Sequence, residues 1–313
     1  MWRLFVPDPA SPFVSITRSV RARFERQPLR LAWGATWSVI CGALAAWPGE
    51  GGGGDALVRA VATWFVAVPL FGTVWWVWLH TTRPRAGADE PMAEADAAPA
   101  STGSIPPNRA IRARRADEQA DAVLGVVLAA VVATLLGPPV VTWLSGGVGV
   151  LVLCHRMRLL SPHGRGLLRS CFEIAWPGMM AWLALAGPVG VPAVLAVGRN
   201  ALENAGAWWQ VNWLFPTLLL AFTLIHYAAT AADNRAALSR QRQLLGLGYL
   251  AAVVTLAASD QPWAAGAVAL LFVVQWPFQA LFQSGRVRWH FEATQGLAML
   301  AMLVAALAAS RAS

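Results

Sequence analysis

The sequence predicts an all-α, polytopic transmembrane helix bundle of about nine spans, and three observations carry that prediction. Of the 313 residues, 57% are hydrophobic and only 13% are charged, too few charges to cover the surface of soluble domains of this total length. The mean hydropathy is +0.51, and the apolar residues gather into runs close to the ~20 residues needed to cross ~30 Å of hydrocarbon. Arginine-bearing connectors separate those runs in a regular alternation, the pattern that distinguishes cytoplasmic from external loops.

Residues 1–30 form a cytoplasmic, arginine-rich segment holding Arg3, Arg18, Arg21, Arg23, Arg26 and Arg30. The first apolar run starts only at about Leu31, with no short apolar core and small-residue cleavage site ahead of it, so a cleaved signal peptide is not expected. Hydrophobic spans follow at roughly 31–48, 60–80, 122–137, 139–154, 171–197, 208–231, 244–259, 264–282 and 294–310. The third and fourth are short and joined only by Gly137-Pro138-Pro139. They form a tight hairpin or a re-entrant pair, and the count is nine or eight accordingly.

The connectors 81–121, 155–170, 232–243 and 283–293 all carry arginine, whereas the opposite set holds little beyond Glu50, Asp55, Arg199, Glu203 and Asp260. This places the N-terminus in the cytoplasm and the C-terminus outside, in the plasma (inner) membrane of a bacterial cell. Within the cytoplasmic connector 81–121, the stretch 84–110 is rich in Ala, Pro, Ser and acid and reads as a disordered linker, available to a protein partner. The remaining spans, 122–310, complete the bundle.

All 24 basic residues are arginine, which excludes a Schiff-base lysine and a P-loop lysine. The net charge of +8 is spread over short connectors instead of forming one patch with interleaved aromatics, so nucleic acid is not an expected partner; the lipid bilayer is. Cys41, Cys154 and Cys171 lie in or beside apolar runs without C-x-x-C spacing, which argues against a disulfide framework or a zinc site. There is no G-x-S-x-G, H-E-x-x-H or Walker motif.

An ionisable or amide group inside a span is costly and therefore a candidate for function. Span six carries Thr223, His226, Tyr227, Thr230, Asp233 and Asn234 at intervals of three and four, one helix face running toward the cytoplasm. That face lines a polar cavity or bonds to neighbouring helices. Span eight carries Gln275, Gln279 and Gln283 at i, i+4 and i+8, amides that must face the bundle or a cavity, since an unsatisfied amide in hydrocarbon costs several kcal/mol. Glu173, just inside span five, reads first as an interfacial acid paired with a neighbouring arginine.

Nine spans, a cytoplasmic N-terminus and polar connectors after spans two and six together resemble the UbiA superfamily of intramembrane prenyltransferases. The segment His226-Tyr-Ala-Ala-Thr-Ala-Ala-Asp233-Asn-Arg235 is similar to the second aspartate-rich motif of that family. Where the family carries N-D-x-x-D after span two, this chain reads Trp75-Trp76-Val-Trp78-Leu-His80-Thr-Thr-Arg83-Pro-Arg85, with no acid before Asp89; the nearest D-x-x-x-D spacing is Asp117 to Asp121, just before span three. The resemblance implies transfer of a prenyl group from a prenyl diphosphate to a lipophilic acceptor, with Mg2+ on oxygen ligands. By the same resemblance Asp233, Asp117 and Asp121, with Glu118 beside them, are the metal candidates, and Asp233, Arg235 and Tyr227 the catalytic ones. Arg83, Arg85, His226, Asn234, Gln275 and Gln279 are the substrate-binding candidates. The alternative is a non-enzymatic membrane protein, either a scaffold or assembly subunit or a small-molecule permease lined by Gln275 and Gln279.

Overall fold

A computed structural model describes residues 32–48, 53–72, 74–75, 107–157, 162–186, 214–230, 237–278 and 287–312, and every element among them is helical. In chain order the α-helices are α1 (Trp37–Ala45), α2 (Gly53–Phe65), α3 (Pro107–Leu136), α4 (Pro138–Met157), α5 (Pro162–Ser170), α6 (Trp176–Ala186), α7 (Leu214–Thr230), α8 (Ala237–Ala258), α9 (Pro262–Gln275) and α10 (Val287–Ala312). Wider π-helical turns lead into α1 (Ala32–Thr36), continue α2 (Val66–Leu70) and join α5 to α6 (Cys171–Ala175). In the turn after α2, Pro69 supplies the local cause, because proline lacks the N–H of a regular ladder.

Each of the nine apolar runs carries a helix, and α2, α3, α8 and α10 begin well before the run does. α2 starts at Gly53, inside what reads as an EGGGGD loop, because Asp55 in its first turn pairs with Arg59 one turn on at 2.8 Å. α3 starts at Pro107, so the end of the linker is helical: proline suits the first turn, and the Ala, Arg, Glu and Gln residues that follow are good helix formers. α5 takes in Arg165 and Arg169 ahead of span five, and α10 starts at Val287. Gly137, at φ +112°, reverses the chain within one residue between α3 and α4, which pack along each other as a hairpin. Asp260 takes φ +56° between α8 and α9, and the Gln261 N–H donates to the Leu256 carbonyl at 3.0 Å, closing that turn.

Two apolar cores meet at α6. One gathers Leu218 and Ile225 of α7, Leu245 and Tyr249 of α8, Val268 of α9 and Ala301 and Ala305 of α10. The other gathers Val66 and Phe71, Ala129 and Ala133 of α3, Val140 and Leu144 of α4, and Phe172 and Met180. Phe71, Trp75, Phe172, Trp176 and Trp143 form a continuous aromatic cluster, with Trp143 and Trp176 stacked at 4.7 Å. α6 approaches α1 so closely that a Cβ on Gly42 would stand 2.2 Å from the Gly178 carbonyl oxygen. Ser38 closes the same crossing by donating to the Ile174 carbonyl.

Several helices turn large apolar side chains outward, and on α3 and α10 small residues make up much of the buried face. On α3 the buried face is Gly125, Ala129 and Ala133, while Val123, Val127, Val131 and Leu135 stand outward, Leu135 with 81% of its surface free. On α10 the buried face is alanine, and on α8 the outward residues are Leu247, Leu250 and Val254. Small residues inside and large apolar ones outside maximise close helix contact without needing water to drive it. Among the described residues two segments, Gly53–Leu70 and Ala293–Arg311, are long and apolar enough to cross a membrane, and Gly34–Ala45, Ala122–Leu136, Pro138–Cys154, Leu214–Thr230 and Pro262–Gln275 are shorter apolar helices.

Candidate functional site

Four chain segments come together around one cleft. They are the π turn before α1, the α5–α6 junction, the C-terminal half of α7 and the N-terminal third of α10. Between them the cleft is lined by Gly34, Trp37, Ile174, Phe222, His226, Ala229, Gln295, Ala298, Met299 and Met302. The lining is apolar except for two side chains, His226 and Gln295. On α7, His226 and Ala229 lie nearer the helix end than Phe222, and on α10 Gln295 lies nearer the helix start than Met302. On both helices the polar lining residue stands beside apolar ones.

Trp37 is held across the cleft by its indole N–H, which donates to the Met299 carbonyl at 3.0 Å and ties α1 to α10. His226 is held from the other side. Its Nδ1 stands 3.0 Å from Ser170 Oγ, and its Nε2 stands 3.4 Å from Oε2 of Glu173. Oε1 of Glu173 accepts from Arg169 Nε at 2.8 Å, an i,i+4 pair across the α5–α6 junction. The expectation that Glu173 pairs with a neighbouring arginine holds, and the acid also reaches a histidine. Glu173 and Ser170 sit three residues apart, so the helical repeat turns both toward α7.

The remaining polar residues of the α7 face are satisfied within the helix. Thr223 donates to the Leu219 carbonyl at 2.7 Å, and Thr230 donates to the His226 carbonyl at 2.9 Å. Tyr227 packs its ring toward Gly166 of α5, where a Cβ would stand 3.0 Å from it, and it is not a lining residue of the cleft. Gln275 is buried within the bundle as its amide requires, yet neither amide atom has a hydrogen-bond partner, and it too lies outside the cleft. Asp233, Asn234, Arg235, Arg83, Arg85 and Gln279 lie outside the described residues; Asp117, Glu118 and Asp121 lie on α3 with their side chains outside the described part.

The structure thus brings together His226, Glu173, Arg169, Ser170, Gln295 and Trp37. Of these, His226 is legible from sequence as a site residue. Arg169 and Glu173 show their i,i+4 spacing, but nothing in the sequence joins Ser170 to His226, 56 residues away, or brings Gln295 to the same cleft. Among the described residues no three His, Cys, Asp or Glu side chains stand close enough to share a metal ion. Comparison with protein-family models, curated proteins and solved structures finds no match to this chain.

Proposed function

We propose that this chain is a multi-pass protein of the plasma (inner) membrane, and that it is a divergent prenyltransferase of the UbiA type, moving a prenyl group from a diphosphate donor to a lipophilic acceptor. The observation that carries the reading is the cleft, lined by apolar side chains with His226 and Gln295 as its polar groups; in sequence Asp233 follows the lining residue Ala229 by four positions. Such a lining suits an amphiphile with an apolar chain and an anionic head. Each chain methylene buried against Phe222, Met299 and Met302 contributes about 0.8 kcal/mol. Arg235, and Arg83 or Arg85, are the cations this reading assigns to the diphosphate.

The described side chains do not themselves fit Mg2+. Glu173, the carboxylate beside the cleft, is engaged by Arg169 and His226 and offers no free pair of oxygens to a hard cation. In this reading Asp233, Asp117 and Asp121 would hold the ion, which would neutralise the leaving diphosphate. The test is binding of a non-hydrolysable farnesyl diphosphate analogue to the purified full chain in detergent. Binding should require Mg2+ and weaken at least 100-fold in Asp233→Ala; no Mg2+-dependent binding at any prenyl chain length overturns the reading. The second reading, a non-enzymatic scaffold or permease, draws on the same Glu173 pairing and on the unpartnered amide of Gln275.

The membrane placement has its own support. Val123, Val127, Val131 and Leu135 on α3, Leu57, Val58, Val61 and Phe65 on α2, and Leu247, Leu250 and Val254 on α8 leave apolar faces without protein cover on several sides of the bundle. Soluble monomers rarely expose such contiguous surface. Nine spans with the N-terminus inside predict that a cysteine at Asp260, in the α8–α9 turn, reacts with an impermeant maleimide on intact cells. A cysteine at Ser101 should react only after lysis. Labelling of both sites on intact cells, or neither, would refute this topology.

A further inference from the structure

The two ring nitrogens of His226 are treated differently by the structure. Nδ1 is hydrogen-bonded to the fully buried Ser170 hydroxyl at 3.0 Å. Among the described residues Nε2 has no hydrogen bond: the 3.4 Å separation from Glu173 Oε2 lies beyond the ~2.7–3.2 Å range of a normal N–H···O contact. Nε2 is also the nitrogen turned toward Gly34, where a Cβ would stand 4.0 Å from it, and Gly34 is a lining residue of the cleft. Any larger residue at position 34 would narrow the approach to that nitrogen.

The Ser170 hydroxyl can donate to Nδ1 or accept from it; in the neutral tautomer in which it accepts, the Nε2 lone pair is left beside the cleft. A proton taken up there creates an imidazolium whose new N–H faces a carboxylate already in place. The charged groups packed around the ring come from one element, the α5–α6 junction: Glu173 beside Nε2, and Arg169 behind Glu173 at 2.8 Å. The described faces of α1 and α10 toward the ring offer Gly34, Trp37, Gln295, Ala298 and Met299, all uncharged. Arg169 holds Glu173 aimed at the ring, so uptake of a proton at Nε2 completes an alternating row of charges without moving a heavy atom. A histidine placed only for packing needs neither a free nitrogen on the cleft side nor a carboxylate waiting behind it.

We propose that His226 is the proton acceptor for the molecule bound in the cleft, with Glu173 and Ser170 as its positioning residues. The identity of the reaction rests on the prenyl-transfer reading above. In that reaction the acceptor atom bonds to C1 of the prenyl chain, and the C1–O bonding pair departs with the diphosphate. The acceptor's proton goes to Nε2, and its former bonding pair stays on the acceptor. General-base help of this kind contributes ~10²–10⁴-fold.

Two measurements on the full chain in detergent test the assignment separately from the prenyl-transfer reading. Diethyl pyrocarbonate, which attacks an unprotonated imidazole nitrogen, should carbethoxylate His226, located by mass spectrometry. An unmodified His226 in a sample whose other histidines react overturns the proposal. In transfer from farnesyl diphosphate to a lipophilic acceptor, His226→Gln should lower kcat by about 100-fold or more and abolish the acidic limb of its pH profile. Glu173→Gln should retain donor binding and move that limb to lower pH, which a merely structural acid would not do. A wild-type pH profile in His226→Gln also overturns the proposal. Modification of His226 in a protein that transfers no prenyl group to any acceptor overturns the prenyltransferase reading and leaves the base of the cleft standing.

Discussion

Gly42→Leu is expected to prevent accumulation of folded protein, and Gly42→Ala to destabilise it by about 3 kcal/mol, the upper part of the range for overpacked cores. The reason is what the added atom meets. A Cβ at position 42 would stand 2.2 Å from the carbonyl oxygen of Gly178 and 3.1 Å from the Ala181 Cβ. The first of these is backbone, which cannot rotate aside as a side-chain tip can, so α1 and α6 must separate. Separation strips contact from Cys41 and Ala45 on one side and Met180 and Ala181 on the other, all buried. It also withdraws Ser38 from the Ile174 carbonyl, which adjoins Glu173. The crossing thus bears on the cleft as well as on stability.

Gly178→Ala meets the same crossing from the other helix, with Ser38 Oγ at 2.5 Å and Leu219 Cδ2 at 2.8 Å. Because both changes force one separation, their costs should sum to less than additive. Gly266→Ala on α9, where a Cβ meets nothing within 4 Å, is the control, and the helix propensity of alanine favours it by about 0.5–1 kcal/mol. Thermal unfolding of the detergent-solubilised proteins distinguishes them. Equal midpoints for Gly42→Ala and Gly266→Ala would mean that α1 and α6 do not cross at these glycines.

Helices were legible because the apolar runs are long and their breaks are marked by Gly, Pro and Arg. Residues near 34, 173, 226 and 295 are separated by up to 261 positions and meet at one cleft, which no local pattern announces. Helix starts were less legible, since Asp55–Arg59 and the Pro107 start lie in stretches whose composition is that of a loop. Here local pairing and helix propensity outweigh hydropathy. At the site, the α7 stripe exposed His226 but overvalued its threonines, which back-bond to their own helix. The stripe also set Tyr227 beside His226, although the 100° between consecutive residues turns Tyr227 toward Gly166 and away from the cleft. The partners of His226 come from another helix, and no spacing within one helix could have named them.

Arg169→Leu is the second change with a large expected effect, about 2–4 kcal/mol of destabilisation. The Glu173 side chain keeps only 17% of its surface, and removing Arg169 strands a carboxylate among Phe172, Ile174 and α7. Losing one member of a fully buried ion pair costs about 3–5 kcal/mol, mostly the desolvation of the charge left behind. The Arg169 side chain is 38% exposed, so solvent screens part of the attraction and the lower figure follows. Glu173→Gln should cost less, about 1 kcal/mol, because the arginine left behind can turn to water and the amide still accepts a hydrogen bond. If the stranded charge is the cause, adding Glu173→Leu to Arg169→Leu should recover most of the loss, since two apolar side chains at an apolar junction leave nothing unpaired. A double variant that unfolds as easily as Arg169→Leu alone would instead assign the loss to the packing of the arginine stem against α5. Because Ser170 and Glu173 stand beside opposite nitrogens of the same imidazole, recovery of stability in the double variant should leave the acidic limb assigned to His226 at the lower pH expected of Glu173→Gln. The pair is expected to stabilise the junction through Arg169 and to serve the cleft through Glu173, and only the second role disappears in a protein that folds normally.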